Sequence, residues 1–322
     1  MRIFVTGGAG YVGSICVEEL LNAGHQVTVI DNLSEGHRHA VDQRTEFVEG
    51  DLADRALLFD CLNRVRPDAV MHFASNTLVP ASMVTPGIYL GDNVANAVNL
   101  LDACVDSGVR RFVFSSTCAI FGLPKMIPIT EELPKEPINP YGESKWTVER
   151  VLAWYDRLFG LRYVCVRYFI ASGATQQFGE HHREETHLIP NVLKVALGQK
   201  PHVEIYGTNY PTPDGTCIRD FIHILDLAQG HMLALSSPES AVFNIGSGQG
   251  YSVREVIEVA RQVTGHPIPT LEKPSRPGDP PRLVADSTKI RRVLGWQPRF
   301  DSLRPIMESA WRWHQAHPNG YQ

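Results

Sequence analysis

The opening thirteen residues constrain this chain more than any other stretch. Arg2-Ile3-Phe4-Val5-Thr6 is a short apolar run rich in β-branched and aromatic side chains, the pattern of a buried strand. It breaks at Gly7-Gly8-Ala9-Gly10, and from Tyr11 to Leu21 the apolar residues return with helical spacing. Glycines at 7, 8, 10 and 13 satisfy both G-x-G-x-x-G and G-x-x-G-x-x-G. One glycine makes the tight turn, one lets the backbone approach a pyrophosphate, and one lets the helix lie close on the strand. The free N–H groups of the new helix then face the phosphates. A plain strand-to-helix turn can carry glycines too, so the context decides. Gly24 to Ile30 reads as a second strand ending in Asp31, eighteen positions beyond Gly13. A carboxylate there accepts hydrogen bonds from an adenosine ribose and repels a 2′-phosphate, so NAD is expected over NADP. Arg38 is the one nearby residue that speaks for NADP.

The 322 residues, 43% hydrophobic and 20% charged, suffice for one large domain or two. A net charge of -5 gives no support for a nucleic-acid or anionic-membrane surface. No apolar run approaches the length of a membrane span, and the first strand is not preceded by a basic segment and cleavage site. The cysteines at 16, 61, 104, 118, 165 and 217 are scattered, with no C-x-x-C. Neither structural zinc nor a disulfide framework is expected, and the cytoplasm is the expected compartment.

From 1 to about 170 the pattern alternates, with strands expected at 2–6, 26–30, 45–48, 69–73, 111–115 and 161–168. Helices are expected near 11–23, 53–65, 92–107 and 143–158. This implies an α/β fold, a Rossmann-type doubly wound parallel sheet with helices on both faces. Beyond 170 the elements shorten. Helices are expected at 187–198, 225–236, 252–264, 286–294 and 301–315, with strands near 203–206 and 242–245. The stretch 265–281, with six prolines and two glycines, reads as a long surface loop. Leu303, Ile306, Met307, Ala310 and Trp311 form a packing face. The expected division is a NAD-binding domain over 1–170 and a smaller mixed α/β substrate domain over 171–322, with some exchange of elements.

Ligands of such sheets bind beyond the carboxyl ends of the strands. Asp51 follows the third strand, where it either caps the next helix or touches adenine. Phe73-Ala74-Ser75 end the fourth, with small residues that leave room for a cofactor, and Asn93 is expected to open a helix near that rim. The fifth delivers Ser115-Ser116-Thr117, and Tyr141 and Lys145 stand one helical turn apart in Pro140-Tyr141-Gly142-Glu143-Ser144-Lys145. Such a pair is common on helix surfaces, but after this strand it reads as catalytic. Bringing a tyrosine from a pKa of ~10 to ~7 needs about 4 kcal/mol of preferential phenolate stabilisation. The Lys145 ammonium and an oxidised nicotinamide are the expected sources. His181 and His182 lack clear metal-ligand spacing and read as solvated loop residues; no metal is expected.

The first 170 residues resemble the extended short-chain dehydrogenase/reductase superfamily, and the second half narrows this. Arg167-Tyr168-Phe169, Gly173-Ala174, Glu185-Thr186-His187-Leu188-Ile189-Pro190, the long run from Tyr210 to His223, Tyr251-Ser252-Val253-Arg254-Glu255 and Arg276-Pro277-Gly278-Asp279 are similar to segments of the UDP-glucose 4-epimerase family. The resemblance implies reversible C4 inversion of a UDP-hexose through a 4-keto intermediate, with Tyr141, Lys145 and Thr117 catalytic and NAD tightly held. It places NAD against Gly7, Gly10, Tyr11, Val12, Gly13, Asp31, Asn32, Asp51, Leu52, Phe73, Ala74, Ser75, Asn93, Ser115, Tyr141, Lys145 and Tyr168. It places the UDP-sugar against Thr117, Tyr141, Ile170, His187, Leu188, Arg219, Arg276, Asp279 and Leu283. The two arginines, each read as a loop residue beside an Asp, would grip the diphosphate. A homodimer is also implied, with the apolar helix 92–107 as one candidate surface and core packing an equal explanation.

Three positions depart from the family pattern. Ile170 stands where the family has Asn, losing one hydrogen bond to the diphosphate, on the order of 1–3 kcal/mol. Thr117 replaces the common Ser, a mild change. Leu283 lies at the gate to the sugar pocket, where its intermediate size implies some activity on N-acetylated hexoses. An epimerase of UDP-pentoses or UDP-uronates stays open. A 4,6-dehydratase is disfavoured because Thr117-Cys118-Ala119 lacks the Asp-Glu pair, and a non-catalytic NAD sensor because the Tyr/Lys pair is present.

Overall fold

A computed structural model describes residues 1–276 and 278–321. Thr6, Asp31, His72 and Thr117 all lie at the carboxyl ends of parallel strands, because the first part of the chain winds strand and helix alternately. In order these are β1 (Arg2–Thr6), α1 (Tyr11–Asn22), β2 (Gln26–Asp31), β3 (Glu46–Glu49), α2 (Arg55–Val65), β4 (Ala69–His72), α3 (Val79–Ser82), α4 (Pro86–Asp106), β5 (Arg111–Thr117), α5 (Pro140–Phe159) and β6 (Arg162–Tyr168). There follow β7 (Ile170–Ser172), α6 (Leu188–Ala196), β8 (Val203–Tyr206), β9 (Ile218–His223), α7 (Ile224–Ala234) and β10 (Ala241–Ile245). The chain closes with β11 (Gly250–Ser252), α8 (Val253–Thr264), β12 (Thr270–Lys273), β13 (Arg282–Leu283), α9 (Thr288–Leu294) and α10 (Leu303–Ala316).

The main sheet has seven strands in the order β10-β6-β5-β4-β1-β2-β3, every pair parallel. The winding reverses between β1 and β4, which opens the crevice where doubly wound sheets bind their ligands. The strands are apolar on both faces because both are covered. On one side α2, α4 and α5 bury Leu58, Leu101 and Leu152 against Phe4 and Phe112. On the other, Ile15 and Leu20 of α1 pack with Leu227 of α7, Phe243 and Trp296. The late elements α7 and β10 thus complete the first sheet. A third core gathers Ile189, Val192, Phe221, Val256, Ile257, Met307 and Trp311, and the α10 face expected from spacing lies in it.

Two expectations need correction. The stretch 265–281 is not all loop, for Thr270–Lys273 pairs in parallel with β8. Helix α4 starts at Pro86, not near 92, because Pro at the first turn needs no N–H partner there. Among the described residues, no helix is long and apolar enough to cross a membrane.

Candidate active site

Gly7 turns the chain out of β1 with φ +74°. A Cβ there would lie 2.4 Å from the Ala74 nitrogen, and one on Gly13 would lie 2.1 Å from the Gly7 carbonyl. Glycine is therefore required where β1, α1 and the turn after β4 meet. At Gly10 the nearest atom is the Gly7 oxygen at 3.4 Å, so the loop is open on that side. Helix α1 has no side-chain cap, and Ser14 N to Gly10 O, 2.9 Å, is its first hydrogen bond. The Tyr11, Val12 and Gly13 N–H groups are left for an outside acceptor, the donor set of a pyrophosphate site. The residues fit a dinucleotide.

Asp31 fastens this loop: Oδ2 accepts from Ala9 N and Oδ1 from Leu33 N, both at 2.9 Å. Burial raises its pKa, while the two N–H groups oppose the rise. Asn32 donates to Asp51 Oδ2 at 2.7 Å, joining the rims of β2 and β3. Asp51 does not cap α2; Asp54 does, accepting from Leu57 N at 3.0 Å. Leu52 is buried in the core beside β1. Phe73 N and Ala74 N both donate to Thr6 O, holding the chain after β4, with half-buried Ser75, against the glycine loop. Asn93 lies inside α4 and does not open a helix. It accepts from Asn76 N at 2.8 Å and donates to Asn76 O and Ser144 Oγ, both at 3.0 Å, pinning the rim to α5.

Helix α5 starts where Asn139 accepts from Gly142 N at 2.8 Å, with Pro140 next. Gly142 lets it sit tightly on the strand end, since a Cβ would come within 2.7 Å of the Ala119 oxygen. This seats Tyr141 and Lys145, 8% and 2% exposed, beside the end of β5. Lys145 Nζ donates to Ser115 O at 3.0 Å and lies 5.9 Å from the Tyr141 ring centre. Ser115 Oγ and Tyr168 OH are 2.7 Å apart. Thr117 is buried at the strand's last position and accepts from Ala119 N at 3.1 Å.

Burial sets the charge preference of this pair. Burial pushes Lys145 down to about 7, and burial with Tyr168 alongside pushes Tyr141 up, the Thr117 hydroxyl opposing. Lys145 alone therefore does not bring the phenol toward neutrality. Its ammonium loses much of its solvation and has one carbonyl for a partner, so the site disfavours charge of either sign.

One group behind the pair escaped the sequence reading. Glu149, one turn beyond Lys145, takes Ser116 Oγ at 2.6 Å and both Nε and Nη2 of Arg167 at 2.9 and 2.5 Å. Both ionised side chains are 2% exposed. A lone arginine inside the apolar run Tyr163–Tyr168 was the available signal.

On the facing side, Arg219 is a strand residue of β9, not a loop residue, and Asp279 bridges Arg219 Nη2 at 2.5 Å and Tyr210 OH at 3.3 Å. Arg276 lies 4.1 Å above the Tyr206 ring, so its first partner is aromatic and not an Asp. Leu283 stands opposite Arg219 in register and packs near Phe121 and Phe169. Ile170 packs toward the third core. His187 stands directly before α6 and Leu188, with no side-chain hydrogen bond to the helix start. Burial works against charge on its imidazole, and Glu180 and Glu185 overcome this, raising it to about 10. His182 is not a solvated loop residue: it is half-buried, with Nδ1 3.2 Å from Glu185 Oε2.

Residues 3–246 match the model of the NAD dependent epimerase/dehydratase family. The chain belongs to that family. A UDP-glucose 4-epimerase of Halalkalibacterium halodurans is 49% identical over all of this chain and 98% of its own. One from Lacticaseibacillus casei is 46% identical, covering 100% and 99%. A crystal structure of the UDP-glucose 4-epimerase from Bifidobacterium longum, in complex with NAD+ and UDP, superposes with a TM-score of 0.95 at 36% identity, covering 100% of both chains. The glycine loop, Tyr141 and Lys145 all lie within the matched span, and NAD is the family's cofactor.

Proposed function

We propose that this chain interconverts UDP-glucose and UDP-galactose by inversion at C4, through a transient 4-keto sugar. The observation that carries the reading is the buried Tyr141–Lys145 pair against Ser115 and Thr117, at the same sheet edge as the open glycine loop. NAD, when bound, supplies a hydride acceptor and donor for C4 and a positively charged ring beside Tyr141. Tyr141 removes the C4-hydroxyl proton, with the Thr117 hydroxyl bridging, and returns it to the inverted product. Lys145, steadied by the Ser115 carbonyl, orients the nicotinamide ribose. Arg219, Arg276 and Asp279, with His187 and Leu188, hold the uridine diphosphate while the sugar turns. The remaining residues of the glycine loop and strand ends, from Tyr11 to Tyr168, hold NAD. The division at 170 assigns the sugar lobe to the later residues, apart from the elements that complete the first sheet.

The test is turnover of UDP-galactose by purified protein without added NAD. Conversion to UDP-glucose is expected. Silence with NAD demonstrably bound, relieved by Ile170→Asn, would place the fault at the diphosphate site. Silence in both proteins would reject UDP-galactose as substrate and leave UDP-pentoses or N-acetylated sugars, the latter favoured by Leu283.

The cytoplasm is the proposed compartment and a homodimer the proposed assembly. Ala97, Leu101 and Ala103 of α4 are taken up by the core. Exposed apolar side chains stand at the start of α4, Ile88 and Leu90, and on α5, where Trp154 and Leu158 are 57% and 63% exposed one turn apart. Trp154→Glu should convert a dimer to a monomer in sedimentation velocity; an unchanged sedimentation coefficient would exclude this face.

A further inference from the structure

Four side chains in the segment between β7 and α6 converge, and of these only His187 has a part in the reaction proposed above. Glu180, His182, Glu185 and His187 each bring one donor atom to a point, all within 4.8 Å of one another. His187 Nδ1 is 3.2 Å from Glu180 Oε1 and 3.4 Å from Glu185 Oε1. His182 Nδ1 is 3.2 Å from Glu185 Oε2 and 3.8 Å from Glu180 Oε1. Ligands at about 2.0–2.1 Å from a tetrahedral ion stand about 3.3 Å from one another. The observed separations bracket that spacing.

Two further observations separate this group from an ordinary surface cluster. The Glu180 and Glu185 side chains are 5% and 3% exposed, so two carboxylates are withdrawn from water side by side. Buried charges require compensation, which the cationic His187 imidazole supplies in part and a divalent ion between neutral imidazoles would supply in full. Moreover, His187 Nδ1 is itself buried and hydrogen-bonded to neither carboxylate, despite its proximity to both. Among the described residues the Glu180 carboxylate has no polar partner besides the two imidazoles. Glu185 is already held by His182 Nδ1 at 3.2 Å and His187 N at 2.9 Å, and a shared ion would supply the partner that His187 Nδ1 lacks.

We propose that Glu180, His182, Glu185 and His187 bind a divalent transition-metal ion, zinc by the two-imidazole, two-carboxylate donor set. Binding through Nδ1 releases to solvent the proton that makes the His187 imidazole cationic, and His182 ligates as the tautomer protonated at Nε2. The ion would fasten the segment entering α6 to the cofactor side of the cleft. There the Tyr11 ring already meets His182 edge-on at 6.3 Å, and Arg183 donates to the Leu33 and Gly36 carbonyls. This inference stands whether or not His187 also touches the substrate.

The experiment is metal analysis of the full-length protein after incubation with zinc and gel filtration, repeated with cobalt for its visible spectrum. About one ion per chain should be retained, with the intense bands of four-coordinate cobalt. Glu180→Gln and His182→Ala should each weaken zinc at least tenfold, and zinc should raise the Tm of the parent protein but not of these variants. NAD content and circular dichroism of the variants verify folding without reading activity. Absence of a retained ion, weak six-coordinate cobalt bands, or stoichiometric zinc that survives both substitutions would each overturn the proposal.

Discussion

Tyr141→Phe should lower turnover of UDP-galactose by about 10³-fold while leaving the NAD content of the purified protein unchanged. The substitution removes one hydroxyl from a side chain only 8% exposed and keeps the ring that packs beside Lys145 and Thr117. About 4 kcal/mol of barrier is then assigned to proton transfer. The size follows from the environment. Burial raises Tyr141, so the phenolate is made only where a positive charge stands close. Lys145, itself lowered to about 7, is a weak source of that charge on its own. The pair should work as a unit with oxidised nicotinamide, and the loss should appear in kcat with little change in KM. Activity within tenfold of the parent would remove Tyr141 from the role of base. Loss of NAD at full expression would instead make it a cofactor ligand.

The cofactor half of this site was legible because its elements are dictated locally. Buried parallel strands read as apolar runs, and the glycines at 7 and 13 stand where any Cβ would collide with backbone. Thr117, Tyr141 and Lys145 could be placed because strand end and helix start are both visible in sequence. The substrate half depends on distant pairing. Ile218-Arg219-Asp220-Phe221-Ile222-His223 has too many polar residues to read as a strand, yet it is one. Asp220 is fully buried there because Ser247 N, Ser247 Oγ, Gly248 N and Ala285 N all donate to it. Those donors arrive from residues 27 to 65 positions away, beyond any window of periodicity. Thr270–Lys273 likewise becomes a strand among prolines because β8 offers it an edge. In the group at 180–187, the adjacent His181 and His182 show no clear ligand spacing in sequence. Including Glu180 and Glu185 gives alternate donors that a turn can gather.

The same reasoning makes Glu149→Ala the most damaging change to stability away from the reacting atoms. Burying a carboxylate and a guanidinium is costly, and the pair is tolerated because its hydrogen bonds are nearly complete. Glu149 takes two from Arg167 and one from Ser116, and Arg167 reaches the Glu131 carbonyl as well. Removing one partner leaves the other charge buried and unpaired, a loss of about 3–5 kcal/mol. Equilibrium urea unfolding should show it. By contrast, Glu272→Ala, which breaks the Arg254–Glu272 pair of half-exposed side chains, should cost under about 1 kcal/mol. The double variant Glu149→Leu, Arg167→Met should recover most of the loss, since it removes both charges, leaves the Ser116 hydroxyl without its acceptor and leaves the Glu131 carbonyl with Lys135 as a donor. Its turnover should nevertheless stay reduced, because Ser116 lies between Ser115 and Thr117 and the network fixes the end of β5 against α5. A single variant as stable as the parent would show that water reaches this pair. Full activity in the double variant would show that the strand end needs no such anchor to hold Thr117 beside Tyr141.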